Sequence, residues 1–308
     1  MQKLVVVVPA YNEAAVIGAF HARLAAALAP LSLACSVLYV DDGSADDTWS
    51  LITALGSPGL PVRGIRLSRN FGKEAALTAG LDLADGEAVV VIDADLQDPP
   101  ELIGQLVEQW QAGYDVVYAT RTVREGETRF KRFTAATFYR GMEKLSDTPI
   151  PRDTGDFRLL SRRALDALRQ LRERQRFMKG LFAWIGYRQT AVHYHREPRQ
   201  AGTTKWNYWR LLQLAIEGIT SFSSAPLRLA TWVGLMSSGM AFLYGTWVLV
   251  KAICYGDPVR GYPTLMLVIL FLGGVQLLAL GVIGEYLGRN YTESKQRPLY
   301  FIDEEFRG

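Results

Sequence analysis

The stretch Val89–Pro100, VVVIDADLQDPP, decides how the rest of the chain is read. Its first four residues form a short continuous run of branched apolar side chains, the pattern of a strand covered on both faces. The run stops at Asp93-Ala94-Asp95, two carboxylates one residue apart at a strand exit. In a half-dry site such a pair repels itself unless a cation lies between its members or one of them takes up a proton. No His or Cys stands nearby, so an oxygen-only donor set points to a hard divalent ion, Mg2+ or Mn2+, of the kind that substrate phosphates complete. The stretch therefore predicts a metal-bridged diphosphate. The plain alternative is a strand that ends in an acidic turn. Position favours the diphosphate, because open α/β sheets bind ligands beyond the carboxyl ends of their strands. Asp98-Pro99-Pro100-Glu101 then reads as a helix start, with Asp98 as N-cap and prolines in the first turn.

Outward from this centre, strands are expected at Leu4–Val8, Ser36–Val40, Val62–Leu67 and Asp115–Ala119. Helices are expected at Ala14–Leu28, Thr48–Leu55 (capped by Asp46 or Asp47), Phe71–Leu83 and Pro99–Gln111. The alternation predicts an α/β domain with a mostly parallel sheet and right-handed crossovers. The turn after the first strand, Pro9-Ala10-Tyr11-Asn12-Glu13, lacks the G-x-G-x-x-G fingerprint, which argues against a dinucleotide-dependent dehydrogenase. Three strand ends carry acidic groups: Glu13, Asp41 with Asp42, and Asp93 with Asp95. They should converge on one sheet edge, where carboxylates can accept hydrogen bonds from a base or ribose. Taken alone, Asp41-Asp42-Gly43-Ser44 reads equally well as a turn.

Composition adds a second region. The 308 residues carry a formal charge of +3, too little to argue for nucleic acid. Mean hydropathy close to zero hides an asymmetry beyond about Ser224. Leu229–Val250 and Thr264–Gly284 are uncharged and each long enough to span a bilayer, which predicts two transmembrane helices. Only Leu4–Val8 follows Lys3 as an apolar run before Pro9, so no leader is expected and the soluble part is placed in the cytosol. Lys205, Arg210 and Arg228 precede the first span and Arg289, Lys295 and Arg297 follow the second, against Lys251 and Arg260 between them. This bias sets both termini on the cytoplasmic face. The basic flanks also suit anionic headgroups. Cys35 and Cys254 suggest neither a disulfide nor a metal site.

Basic residues thicken after the fifth strand. Arg124, Arg129, Lys131 and Arg132 read as a solvated helix face, whereas Arg121 follows directly on the strand at the ligand edge. Arg176 and Lys179 read equally as helix surface or as site cations. Trp206, Tyr208 and Trp209, followed by an apolar run, predict a helix lying at the bilayer interface, with packing on the soluble domain as the alternative. His193 and His195 share a face of the expected strand Thr190–Arg196, which suits a sheet surface better than a metal site.

Five segments in order carry a resemblance: V-P-A-Y-N-E at Val8–Glu13, V-D-D-G-S at Val40–Ser44, R-N-F-G-K at Arg69–Lys73, D-A-D-L-Q-D-P-P at Asp93–Pro100 and T-G-D-F-R-L-L-S at Thr154–Ser161. Together they resemble the family 2 inverting glycosyltransferases, and within these the polyprenyl-phosphate branch. The resemblance implies a nucleotide-diphospho-sugar transferase (GT-A) fold with a central mixed sheet. It implies base and ribose contacts from Pro9, Tyr11, Glu13 and Asp42 with Asp41 beside them, and places Asn12, Lys73 and Asp93 in the same nucleotide-sugar set. Asp93, Asp95 and Gln97 would lie at the metal and diphosphate, with Asp95 and Asp156 as the catalytic carboxylates. Arg199 and Lys205 would belong to a basic acceptor loop, joined by Arg121 and Lys179 at the acceptor phosphate.

Chemistry narrows the part Asp156 can play. A phosphate monoester has a second pKa of about 6 and is largely a dianion at neutral pH, so such an acceptor needs no base. Bringing it up to an anionic donor instead calls for cations. Asp156 is therefore expected to orient a sugar hydroxyl or a basic side chain. The expected protein moves a hexose, with glucose from UDP-glucose favoured, to undecaprenyl phosphate. A processive polysaccharide synthase would carry Q-x-x-R-W and more spans, yet Gln175 is followed by Arg176-Phe177-Met178-Lys179. A non-catalytic membrane scaffold is the other alternative. The expected domains are a catalytic domain (1–205), juxtamembrane helices (206–228), a transmembrane hairpin (229–287) and a cytosolic tail (288–308), in a chain that can associate with copies of itself.

Overall fold

The structure, a computed structural model, describes residues 2–56, 59–121, 154–174, 176–194, 225–255 and 261–308. One eight-stranded sheet organises the α/β part, with strand order β7-β5-β6-β4-β1-β2-β3-β8. Its centre is β1 (Lys3–Ala10), which pairs in parallel with β2 (Ala34–Asp41) and β4 (Ala88–Val91). β3 (Val62–Leu67) lies parallel to β2, and β7 (Gln189–Tyr194) lies parallel to β5 (Val116–Arg121). β6 (Thr154–Ser161) runs antiparallel between β4 and β5, and β8 (Ile302–Arg307) runs antiparallel along β3. Four of the seven pairings are parallel, so the sheet is mostly parallel but mixed.

The valine run of β1 is buried on both faces because successive side chains point to opposite layers. Leu4, Val6 and Val8 meet α1 (Ile17–Leu28) through Ile17, Phe20 and Leu24, and share that layer with Ile103 and Leu106 of α4 (Ile103–Gln111). Val5 and Val7 face the other layer, built from Leu77 and Leu81 of α3 (Lys73–Leu83), Leu165 and Leu168 of α5 (Arg162–Gln170), and Leu181 of α6 (Met178–Trp184). Gly80 of α3 sits so close to Val7 that an added Cβ would overlap its Cγ1. Gly80→Ala is expected to cost about 1–3 kcal/mol by overpacking, read as a lowered Tm in detergent.

Most expected elements are found, with shifted ends. β1 continues through Pro9 to Ala10, and α1 begins at Ile17, after a turn in which Glu13 C=O accepts from the Val16 and Ile17 N–H groups. For α2 (Thr48–Ala54), Asp46 Oδ1 accepts from Thr48 N–H at 3.1 Å, while Asp47 occupies the N-cap position without a side-chain bond. Asp98 does not cap α4. A 3-10 turn over Pro100–Leu102 precedes that helix, and the buried Asp98 carboxylate accepts instead from the Tyr194 hydroxyl of β7.

The stretch expected as the tail carries a strand that the sequence reading did not include: β8 completes the sheet beside β3, with Arg66 opposite Glu304. Two long helices precede it, α7 (Ala225–Tyr255) and α8 (Tyr262–Ser294), which pack together and expose large apolar side chains, among them Trp232, Phe242, Leu277 and Leu287. Among the described residues one stretch, Phe271–Ser294, is long and apolar enough to cross a bilayer. The expected interfacial helix after Trp206, Arg124 to Arg132 and His195 lie outside the described residues; His193 is exposed on β7.

Candidate active site

Every parallel strand from β1 to β4 delivers its carboxyl end to one edge of the sheet, and antiparallel β6 brings its amino end, Thr154–Asp156, to that same edge. That reversal is what sets Asp156 beside Asp93.

At the β1–β2 end the loops are stapled together. Asn12, at φ 54°, donates its N–H to Ser44 Oγ at 2.9 Å and accepts from Ala45 N–H through Oδ1 at 2.9 Å. Glu13 N–H bonds Thr48 Oγ1 at 2.8 Å. Asp41 is fully buried and accepts from Ser44 N–H and its hydroxyl, with Arg66 Nε 3.6 Å away. Burial raises its pKa, and the Ser44 bonds and Arg66 only partly offset that. Asp42 accepts from Phe71 N–H at 2.8 Å on one oxygen and from Gly72 N–H at 2.9 Å on the other. Its pKa too is raised, chiefly by burial. So Asp41 closes the turn and Asp42 clamps the Arg69–Lys73 loop over it. Gly43 permits this at φ 66°, since an added Cβ would stand 2.5 Å from the Arg69 carbonyl carbon. Pro9 is buried in β1, and Tyr11 is exposed on the edge.

Lys73 joins the two halves of the site. Its Nζ lies 2.7 Å from Asp93 Oδ2 and 2.6 Å from Asp156 Oδ2. Burial works against the ammonium, but the two carboxylates more than offset it and hold Lys73 charged. Asp156 is exposed to the opposing pulls of burial and of Lys73 and Lys179, and the cations win, so its pKa is lowered. Asp93 goes the other way, raised by burial and by the Asp156 charge against the pull of Lys73. Asp95 Oδ1 accepts from Gln97 N–H at 3.1 Å, around Leu96 at φ 60°. A buried leucine in the left-handed region is strained, and such strain gathers where a loop must present its side chains in one way.

Two residues of the site escaped the sequence reading. Arg158 is buried, lies 3.8 Å over the Phe182 ring and donates to Gly155 C=O at 2.8 Å. Burial lowers its pKa to about 10 despite Asp156 and Glu74. A lone arginine in the apolar strand Phe157-Arg158-Leu159-Leu160 was the available signal. Glu74 accepts from Met178 N–H at the start of α6, and burial beside the Asp156 charge pushes its pKa up to about 7. Nothing in its local sequence marked it. Glu74 thus costs the fold stability as pH rises from about 4.5, where the unfolded group ionises, to about 7. Glu74→Gln keeps an acceptor for Met178, so Tm should rise by a few degrees at pH 8 and little at pH 5.

Of the expected acceptor cations, Lys179 stands in the electrostatic reach of Asp156 and Glu74. Arg121 ends β5 beside Tyr194, and its side chain, with all of Arg199 and Lys205, lies outside the described residues. For a divalent ion, no three His, Cys, Asp or Glu side chains form a ready cage among the described residues. Asp93 and Asp95 are two carboxylates at one strand exit with the buried Gln97 next to them. That donor set fits Mg2+ or Mn2+ when phosphate oxygens supply the remaining ligands.

One edge of an α/β sheet thus gathers the acidic ends of β1, β2 and β4, with Lys73 bridging Asp93 and Asp156. The profile of glycosyl transferase family 2 matches residues 5–169, and that of the GtrB C-terminal hairpin matches residues 225–289. The chain belongs to glycosyl transferase family 2, and its α/β fold is GT-A-like. It is 51% identical over 302 residues to an uncharacterized glycosyltransferase of Synechocystis sp., covering 98% of this chain and 95% of that one. The bactoprenol glucosyl transferase of Shigella phage SfV is 48% identical, with 98% and 99% covered. A prophage bactoprenol glucosyl transferase homolog of Escherichia coli K12 is 46% identical, with 97% and 98% covered.

Proposed function

We propose that the protein transfers glucose from UDP-glucose to the phosphate of bactoprenol (undecaprenyl phosphate), with inversion at the anomeric carbon. Near-full-length similarity to bactoprenol glucosyl transferases supports the acceptor class and the sugar. The observation that carries the site reading is the bridge Asp93–Lys73–Asp156, which ties the strand exit expected to face the diphosphate to the strand expected to face the sugar.

In this reading an oxygen of the lipid phosphate attacks the anomeric carbon, the bond from that carbon to the diphosphate breaks, and its electron pair leaves with UDP. The acceptor is already a dianion, so no side chain removes a proton. Asp156 holds Lys73 and Lys179 in place, and these with Arg121, Arg199 and Lys205 offset the charge of two anionic substrates. Pro9, Tyr11, Asn12, Glu13, Asp41 and Asp42 form the nucleotide end. Asp93, Asp95 and Gln97 would hold Mg2+ or Mn2+, which when bound offsets charge on the departing diphosphate.

In this reading 229–287 is a two-helix membrane hairpin, with the catalytic domain and both termini on the cytoplasmic side by the flanking basic residues; of the interfacial segment expected at 206–228, residues 206–224 lie outside the described residues. The hairpin keeps the site at the height of the lipid phosphate. Copies of the chain can associate with one another. The absent Q-x-x-R-W disfavours a processive synthase, and the filled acidic and basic positions disfavour a scaffold.

The test is transfer from labelled UDP- and GDP-sugars to undecaprenyl phosphate in detergent, with magnesium or with excess chelator. One chloroform-extractable product, from UDP-glucose and lost with chelator, is expected. Nucleotide binding without lipid product from any donor would move the assignment to another acceptor.

A further inference from the structure

The C-terminal strand reaches the site in a way that the transfer reaction by itself does not require. On β2–β3 Asp41 stands opposite Arg66, and on β3–β8 Arg66 stands opposite Glu304, so the three form one cross-strand row. Arg66 Nη1 lies 3.0 Å from Glu304 Oε1, and its Nε lies 3.6 Å from Asp41 Oδ2. The second oxygen of Glu304 accepts from Trp49 Nε1 of α2 at 3.1 Å. The row runs inward from a half-exposed Glu304, at 51%, through Arg66 at 31%, to Asp41 at 0%. One residue before β8, Phe301 C=O accepts from Ser68 N–H at 3.0 Å, and its ring lies 6.3 Å from that of Phe71 in the loop that Asp42 clamps.

We propose that β8 is a positioning element of the donor site, in which Glu304 acts through Arg66 on Asp41. This rests on the reading that the Asp41–Asp42 end holds the nucleotide. Opposite charges in adjacent strands fix one another's side chains. Glu304 holds Arg66 by one end of its guanidinium and so sets how close the other end stands to the buried carboxylate. Without Glu304 the arginine is free to reorient, and the nucleotide end loses its set geometry. A strand that follows the long apolar helix α8 by seven residues thereby tunes donor affinity.

Glu305, the next residue, provides the control. It pairs with Arg63 at 2.9 Å and anchors the same strand without touching Arg66. The full chain in detergent is assayed for UDP and GDP binding by calorimetry and for donor KM and kcat. Glu304→Ala should weaken UDP binding and raise donor KM about fivefold with kcat within about twofold. Glu304→Gln, which keeps an acceptor for Arg66, should recover most of that, and Glu305→Ala should leave KM unchanged. Equal KM changes in Glu304→Ala and Glu305→Ala would overturn the proposal by reducing β8 to strand docking, as would an unchanged KM in a folded Glu304→Ala. A parent chain that transfers sugar while Glu304→Ala matches it sinks this inference alone. A parent that binds neither nucleotide sinks the underlying site reading with it.

Discussion

Asp156→Asn should lose about 10²- to 10³-fold in kcat while UDP affinity changes by less than about threefold. The substitution keeps the shape of the side chain and removes its charge. Lys73 is then held by Asp93 alone, and the field that keeps Lys179 in the site weakens. The end proposed to hold the nucleotide is untouched, because Asp41 and Asp42 are organised by Ser44, Arg66 and the Phe71–Gly72 backbone. Turnover in single-donor steady state, set beside calorimetric UDP binding, separates the two effects. A kcat within about threefold of the parent would take Asp156 out of the reaction altogether.

Lys73→Met should be more damaging and should change the pH profile as well. It removes the shared cation from two partly buried carboxylates 2.7 and 2.6 Å away. Each then loses the closest positive charge set against its burial, and both pKa values move upward. The sign follows: Asp156, lowered in the parent, is ionised through the neutral range, whereas in the variant its charged form is lost at a higher pH. The variant should therefore fall further below the parent at pH 6 than at pH 8. On the proposed reading, in which Lys73 offsets charge between the two anionic substrates, kcat/KM is expected to drop by about 10³-fold at pH 7. A uniform loss at both pH values would mean that Lys73 acts on the substrate alone.

The half of the sheet built from local alternation was legible in the sequence. Val62–Leu67 is found residue for residue, and the DAD segment does stand at the exit of a doubly covered strand. The two antiparallel insertions were not legible in the same way. β6 is an ordinary apolar strand by pattern, and only its pairing between β4 and β5 turns its amino end toward Asp93. β8 reads Ile302-Asp303-Glu304-Glu305-Phe306-Arg307, too acidic for a buried strand, and it is an exposed edge whose charges make sense only once Arg63 and Arg66 lie opposite. Asp98 shows the same limit at one residue. Its local signals favour a cap, and a tyrosine 96 positions away takes the carboxylate instead. Glu74 had no signal at all, because its perturbation comes from α6 and β6 folding over the start of α3.

The order of synthesis gives β8 a further consequence. β3 leaves the ribosome early, but the strand that covers its outer edge is made only after both long helices. Until then the nascent domain carries an open strand edge, a template for wrong pairing with other chains. The sheet is closed from the far end of the polypeptide, so the enzyme domain is completed only once its helical hairpin has been made, and a chain truncated before Ile302 leaves that edge bare.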